Sequence, residues 1–524
     1  MKMPDHWLAS PWRRSALAVL AGALPVPAFP APSLWWLAYV ALVPWILLAR
    51  AAPTGRRAAW DGWCGGFGFM LAMHHWLLPS LHVFTLVIAG LLGVLWAPWA
   101  WLVRRLLSGV PGRGRVAAAL LVLPSGWVAI ELVRSWQGLG GPWGMLGASQ
   151  WQVVPALRLA SVGGVWLLSL LLVAVNVAVA VLVAVRPARL PALAALAAVA
   201  AAASTAWAWS PRPQTVGQAR IAVVQPGVID GVDSGDRRFD REEQLTRRLV
   251  GRDPDLIVWG ESSVGHDLGD RPDLTRRIAA LSRATGADIL VNVDARRSDR
   301  PGIYKSSVLV GPDGLTGERY DKIRLVPFGE YVPARSVLGW ATSVGKAAGE
   351  DRRRGSGQVV MSAGPGLRLG PLICFETAFP DMSRRLAADG ADVLVGQSST
   401  STFQHSWAPE QHASLAALRS AETGRTMVHA TLTGMSAVFG PTGQRIGPRL
   451  GTDADTAVVY EVPLTAGITP YVRFGDWPVH AALLVLAALG LFEGVRAVRL
   501  RRSPPAPHGP PARTVRGSPA RPGR

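Results

Sequence analysis

The feature that most constrains this chain is a series of apolar segments separated by loops that alternate between arginine-bearing and arginine-free. The segments lie near residues 14–30, 33–50, 58–78, 83–104, 115–134, 158–186, 190–209 and 478–497. Several exceed the roughly 18–20 residues that an α-helix needs to cross a bilayer. ALRLASVGGVWLLSLLLVAVNVAVAVLVAV is the clearest, and the first is the weakest, because LPVPAFPAP interrupts it. That first segment could pass for a secretory signal. With more apolar segments following directly, an uncleaved anchor is expected instead. Composition agrees with a membrane protein: 49% of the 524 residues are hydrophobic and 17% charged, where a soluble domain carries about a quarter charged.

Arginine and lysine positions give a topology. Lys2, Arg13 and Arg14 precede or open the first segment; Arg50, Arg56 and Arg57 follow the second. LLPSLHVF after the third has none. Arg104, Arg105, Arg113 and Arg115 follow the fourth, SWQGLGGPWGMLGASQWQVV after the fifth has none, and Arg186 and Arg189 follow the sixth. RAVRLRRSPP follows the last. This alternation predicts eight transmembrane helices with both termini cytoplasmic and residues 210–475 outside the plasma or inner membrane. The net charge of +19 reads as membrane flanks, and no nucleic-acid partner is expected. The arginine-free loop rich in Trp and Gly reads either as an interfacial aromatic belt or as a surface that meets lipid or substrate. The expected domains are a membrane domain at 1–210 with seven helices, a soluble domain at 215–470, an eighth helix at 478–500 and a disordered basic tail at 501–524.

From about residue 215 short β-branched runs alternate with charged helical stretches. ARIAVVQ, DLIVWGE, ADILVNVDA, SSVLVGPDG, LRLGPLICFE, ADVLVGQSS, TMVHATLTG and MSAVFGPTG read as strands. RFDREEQLTRRLV, DLTRRIAALSRATG and APEQHASLAALRSAETGR read as helices. Continuous apolar strands are buried on both faces, which predicts a layered α/β domain.

GPLICFETAFP holds Cys374, one of two cysteines. Alone it favours a packing role, since a buried thiol behaves as a small hydrophobe. Three segments, however, each place an ionisable group at or just past an apolar strand. LIVWGESS gives Glu261, RYDKIRLVPFGEYVP gives Lys322 and Glu330, and PLICFETAFP gives Cys374 and Glu376. Strand ends are where α/β sheets form ligand sites. A thiol needs a base before it attacks a carbonyl, and an ammonium can stabilise the resulting oxyanion. Each residue by itself reads equally as a solvated charge.

This Glu–Lys–Cys order resembles the nitrilase superfamily. LVPFGEYVP after YDK, set among apolar spans, resembles the bacterial apolipoprotein N-acyltransferases over about residues 10–500. Asn176, QHASLAALRSAETGR and TGMSAVFGPTG belong to the same likeness. The resemblance implies an α-β-β-α sandwich beside the membrane helices. It implies Glu261 as general base, Lys322 as oxyanion stabiliser and Cys374 as the nucleophile that carries a thioester. Glu330, Glu376 and Phe375 are implied as supporting residues. It further implies ping-pong transfer of an sn-1 acyl chain from a phospholipid donor to the α-amine of an S-diacylglyceryl-cysteine lipoprotein. No cofactor and no metal are expected, and a monomer is. His74, His75, His405 and His412 read as interface or packing residues.

The chain departs from the family pattern in several places. Gly260 precedes the base where Pro is usual, and Pro226 follows Gln225 where Gly is. Tyr304-Lys305-Ser306 stands for Tyr-Asn-Ser. Gln397 to Ser401, followed by Phe403, replace an Asn-Asp-Ala-Trp-Phe run, and Phe375 stands where Tyr is common. A membrane-anchored amidase of the same superfamily, or a catalytically weak scaffold, are the alternative readings.

Overall fold

The computed structural model describes residues 10–502 apart from 232, 341–348 and 365; of the tail expected to be disordered from 501, Arg501 and Arg502 close the helix Trp477–Arg502, and the rest lies outside the described residues. Three strands with unbroken apolar cores lie parallel at the centre of one sheet: β1 (Gln214–Gln225), β2 (Leu256–Trp259) and β3 (Asp288–Arg296). β4 (Ile303–Gly311) and β5 (Gly314–Asp321) extend it antiparallel on one edge, and β12 (Thr456–Ala466) closes the other. The second sheet repeats the plan. β7 (Leu367–Ile373), β8 (Val393–Ser398) and β9 (Thr426–Thr431) are parallel. β6 (Met361–Ala363) flanks them on one side, β10 (Ser436–Phe439) and β11 (Arg445–Leu450) on the other.

Strand periodicity explains the layering. Ile221, Val223, Leu256, Val258 and Leu290 meet Leu369, Ile373, Val393, Val395 and Val428 between the sheets. Their alternates, Ala222, Val224, Ile257 and Ile289, point outward under the helices Ser234–Arg247 and Pro272–Thr285. Both faces are buried, so no polar alternation appears in the sequence. On the second sheet the outward residues Leu372, Leu394, Met427 and Phe439 pack into one cluster with the helix Ala408–Thr423 and with membrane-half residues such as Trp45, Trp127 and Leu168. One helical layer of the sandwich is thus also the seat of the membrane half.

Among the described residues, five helices are long and apolar enough to cross a membrane: Val83–Leu107, Arg113–Arg134, Val154–Ala184, Arg186–Trp209 and Trp477–Arg499. The other three expected segments are helical but shorter or more polar. Pro11–Ala23 stops before a proline-rich stretch whose missing N–H groups cannot continue a helix. Val43–Arg50 follows a 3-10 turn at Trp35–Tyr39, and Asn176 closes that break, accepting from Leu42 N and donating to Ala38 O. Gly55–Met73 opens with Arg56 and Arg57 and buries Asp61. The arginine-bearing loops contact one another: Arg50 reaches Gly109 O at 2.7 Å, and Arg104 reaches Ala52 O at 2.7 Å. The arginine-free loops instead meet the sandwich. Trp76 and Trp143 both donate to Gln411 Oε1, at 3.2 and 2.8 Å, and Gln411 donates to Pro30 O at 3.1 Å.

Candidate active site

β2 and β7 are inner strands of opposed sheets, and each stops pairing where its ionisable residue begins. Past β2 the chain is pinned by Glu261 N, which donates to Ser398 O at 3.1 Å. Gly260 is required at this crossing, because a Cβ there would lie 2.0 Å from Leu432 N. Gln397, the first residue of the replaced run, spans the two sheets. It donates to Trp259 O at 2.8 Å and accepts from Ser307 Oγ at 2.5 Å.

Glu261 is 2% exposed and sits among cations. Lys305 Nζ, from β4, donates to its Oε1 at 2.7 Å, and Lys322 Nζ, just past β5, donates to the same oxygen at 3.4 Å. Lys322 binds Glu330 Oε1 more closely, at 2.8 Å, and Lys305 lies 3.2 Å from that oxygen. Glu330 Oε2 accepts from Val326 N at 2.8 Å, which fixes the loop bearing it.

Cys374 follows β7 with φ of 49°, a left-handed conformation rare for a residue with a Cβ. Strain of this kind persists only where the surroundings impose it. The clamp is visible on both sides. His412 Nε2 lies 2.9 Å from Cys374 O, while its Nδ1 lies 3.0 Å from Ser398 Oγ. Glu376, two residues on, accepts from Ile373 N (2.9 Å), Tyr320 Oη (2.8 Å), Ile323 N (2.8 Å) and Arg324 N (3.0 Å). It therefore ties the cysteine turn to the Lys322 segment. Phe375 stacks edge-on against Phe379 at 4.9 Å. Over that pair runs the arginine-free membrane loop: Gly141 has φ of 70°, and a Cβ there would come within 2.7 Å of Phe375. Trp143 lies 5.5 Å from the His412 ring. The Trp/Gly loop is thus a wall beside the cysteine.

The charges are set by this crowding. Burial works to raise Glu261, but Lys305, then Lys322, and hydrogen bonds from Lys305 and Cys374 hold it down at about 2. Burial works against Lys322 too, and Glu330 and Glu261 together keep it a firmly held ammonium. Cys374 is pushed up to about 12 by burial and by the Glu261 charge, against Lys322, Lys305 and Ser398. His412 is lowered by burial to about 4, so it is neutral near pH 7. The resting cluster is a thiol beside a carboxylate and two ammoniums.

Glu261, Lys322, Glu330 and Cys374 come together as the sequence expects. Glu376 and Phe375 flank the cysteine without entering the ion-pair cluster. His412, expected to be a packing or interface residue, is buried against Trp143 and His429 and also contacts the cysteine backbone. Lys305 was visible only as a departure from a pattern, and it stands at the centre of the cluster. The signal available for Lys305 was its place next to Ser306 on a strand that ends beside the Lys322 segment.

Residues 21–178 match the family described as the apolipoprotein N-acyltransferase N-terminal domain, and residues 220–467 match the carbon-nitrogen hydrolase family. An apolipoprotein N-acyltransferase of Azotobacter vinelandii is 33% identical over 96% of this chain and 99% of its own length. Another, of Geobacter metallireducens, is 31% identical over 93% of this chain and 97% of its own. Among solved structures, an amidase from Nesterenkonia sp. aligns with 52% of this chain and 97% of its own at 18% identity, with a TM-score of 0.36.

Proposed function

Since this chain belongs to the apolipoprotein N-acyltransferase family, we propose that it N-acylates lipoproteins through a thioester on Cys374, with a membrane phospholipid as acyl donor. The observation that supports this reading best is the convergence of Glu261, Lys322 and Cys374 from three separate strand ends into one buried cluster. Cys374 Sγ attacks the sn-1 ester carbonyl while Glu261 takes the thiol proton. With burial and the Glu261 charge holding the thiol up, and two ammoniums holding the carboxyl down, proton transfer is coupled to C–S bond formation. Lys322 stabilises the oxyanion, in a site where low dielectric strengthens that attraction. As the intermediate collapses, the C–O bond breaks, and the leaving glycerol oxygen takes the proton back from Glu261. Lysophospholipid departs and the thioester remains.

The second half reuses the same groups. The neutral α-amine of the diacylglyceryl-cysteine, whose ordinary pKa is about 8, attacks the thioester. Glu261 takes the amine proton and returns it to the departing sulfur, which leaves an amide and a free thiol. Glu330 holds Lys322, and Glu376 and Phe375 shape the turn. The wall formed by Gly141, Phe375 and Phe379 is apolar and suited to a lipid chain while it limits water.

Eight crossings with the sandwich on the extracytoplasmic side and both termini cytoplasmic complete the proposal. It is supported by the arginine alternation and by the way the arginine-free loops all turn to the sandwich. The test is intact-mass analysis after incubation with phospholipid carrying a mass-labelled sn-1 chain. An acyl adduct is expected on wild-type protein, absent in Cys374→Ala and formed far more slowly in Glu261→Gln. An adduct that persists in Cys374→Ala would overturn the mechanism.

A further inference from the structure

Lys305 has no role in the chemistry above, yet it contacts three carboxylates, Glu261 at 2.7 Å, Glu330 at 3.2 Å and Asp294 at 3.7 Å. Strand register puts it there. Asp294 of β3 and Lys305 of β4 are paired across the ladder, and Lys322 N donates to Lys305 O at 2.8 Å, continuing the β4–β5 pairing by one step. Two lysines therefore stand directly across an antiparallel pair, where like charges repel. Both are almost dry, their side chains 12% and 0% exposed. A packing role does not call for a second desolvated ammonium, since an apolar side chain fills such a space without losing hydration.

The surrounding charges give the reason for it. Glu261, Glu330 and Asp294 are matched by Lys305, Lys322 and Arg352, whose Nε lies 3.3 Å from Asp294 Oδ1. Lys322 cannot serve both glutamates equally, because it sits 2.8 Å from Glu330 but 3.4 Å from Glu261. Lys305 is the nearer cation to Glu261. Both lysine bonds fall on Oε1, which orients the carboxylate by one oxygen.

We propose that Lys305 is a positioning residue for acyl transfer, a second lysine that pins Glu261 by Oε1 and bridges it to Glu330, so that Lys322 is free to serve the oxyanion. This rests on the reading of Glu261 as the base for Cys374. The groups that face Glu261 are Lys305 from β4, Lys322 and Glu330 from the segment after β5, and Cys374 with neutral His412 from the second sheet; Asp294 and Arg352 lie behind Lys305. Removing Lys305 leaves one of the two cations, so Glu261 takes up a proton at higher pH and is lost as a base sooner on acidification.

The experiment follows the rate of adduct formation on Cys374 in the purified full-length protein, with saturating labelled phospholipid, in brief pulses from about pH 7 down to about pH 2, which spans the acidic limb of the wild-type Glu261. In Lys305→Met the acidic loss of rate moves up by about 1–3 pH units, the usual effect of one close opposite charge, with the phospholipid KM little changed. Lys305→Arg follows wild type. Lys305→Gln, which keeps a donor without the charge, follows Lys305→Met and carries the test if the Met variant does not fold. A Gln profile that superimposes on wild type, or an Arg variant as acid-sensitive as Gln, overturns the proposal. Wild-type protein that forms no adduct at any pH would overturn the base–nucleophile reading instead, before any variant is compared.

Discussion

Asp61 in the membrane half and Glu261 in the sandwich are both fully buried carboxylates held between two basic side chains, yet they differ in how each oxygen is occupied. Asp61 Oδ2 binds Arg14 Nε and Oδ1 binds Arg57 Nε, each at 2.8 Å. One guanidinium meets each oxygen, and guanidinium stays charged at any accessible pH. The group lies within the helix Gly55–Met73, one turn from the buried Cys64 thiol, but with both of its oxygens taken by guanidiniums. Glu261 has both ammoniums on one oxygen, stands at a strand end, and has a half-buried thiol as neighbour. A buried carboxylate between cations is therefore not by itself a site. Unequal loading of its two oxygens beside a group that can give up a proton is what sets Glu261 apart.

That contrast can be broken most directly by removing one charge from each. Glu261→Gln should leave a folded protein and cut the rate of Cys374 acylation by about 10²–10⁴-fold, the usual worth of a positioned base, read by intact mass. Asp61→Asn should spare the chemistry and show only the cost of a broken buried pair, a cost that Glu261→Gln carries as well. It leaves Arg14, 3% exposed, without its full counter-charge, which costs about 3–5 kcal/mol for a broken buried pair. Thermal unfolding in detergent should fall accordingly, while the molecules that remain folded still acylate. If Asp61→Asn lost acylation without losing stability, the two carboxylates would not differ as described.

Titration sharpens the comparison. Glu261 is held at about 2, below the ordinary 4.3 of a free glutamate. Its stabilising contribution is therefore present above the ordinary value and is lost as pH falls through the folded one. Cys374, held at about 12, should alkylate slowly with iodoacetamide near neutrality and faster only as pH rises toward that value. Rapid alkylation at pH 7 would contradict the thiol resting state. The smallest expected effect is at Glu376. Tyr320→Phe removes one of its four donors and should cost about 1.5–3 kcal/mol, the range for a hydrogen bond to a charged group, with a modest fall in acylation as the cysteine turn loosens.

Much of the site was legible in the chain because strand ends announce themselves. An apolar run that stops at Glu261, or at Cys374, marks where pairing ends and a crevice opens. The apolar spans were legible for a similar reason, and the differences arose where helices break. Pro25, Pro27 and Pro30 end the first segment early, and the 3-10 turn before Val43 shortens the second. His412 was not legible as a neighbour of Cys374, because 38 residues separate them and only the packing of its helix on the second sheet closes the gap. Gly260 was legible as a departure, but its cause is the backbone of Leu432, just past β9, whose N lies 2.0 Å from where a Cβ would stand.

The amino-acid sequence determined that a layered α/β domain stands among apolar helices, five of them long enough to cross a membrane, and which ionisable residues stand at its strand ends. Periodicity, proline and charge are local properties, and they are written residue by residue. Tertiary structure decided which of those charges share a cavity. Lys305 and Glu261 are 44 residues apart, and sheet order alone places β4 one strand beyond β3 so that an ammonium reaches across to the end of β2. Electrostatics depends on distance in space, and the sequence states distance only along the chain.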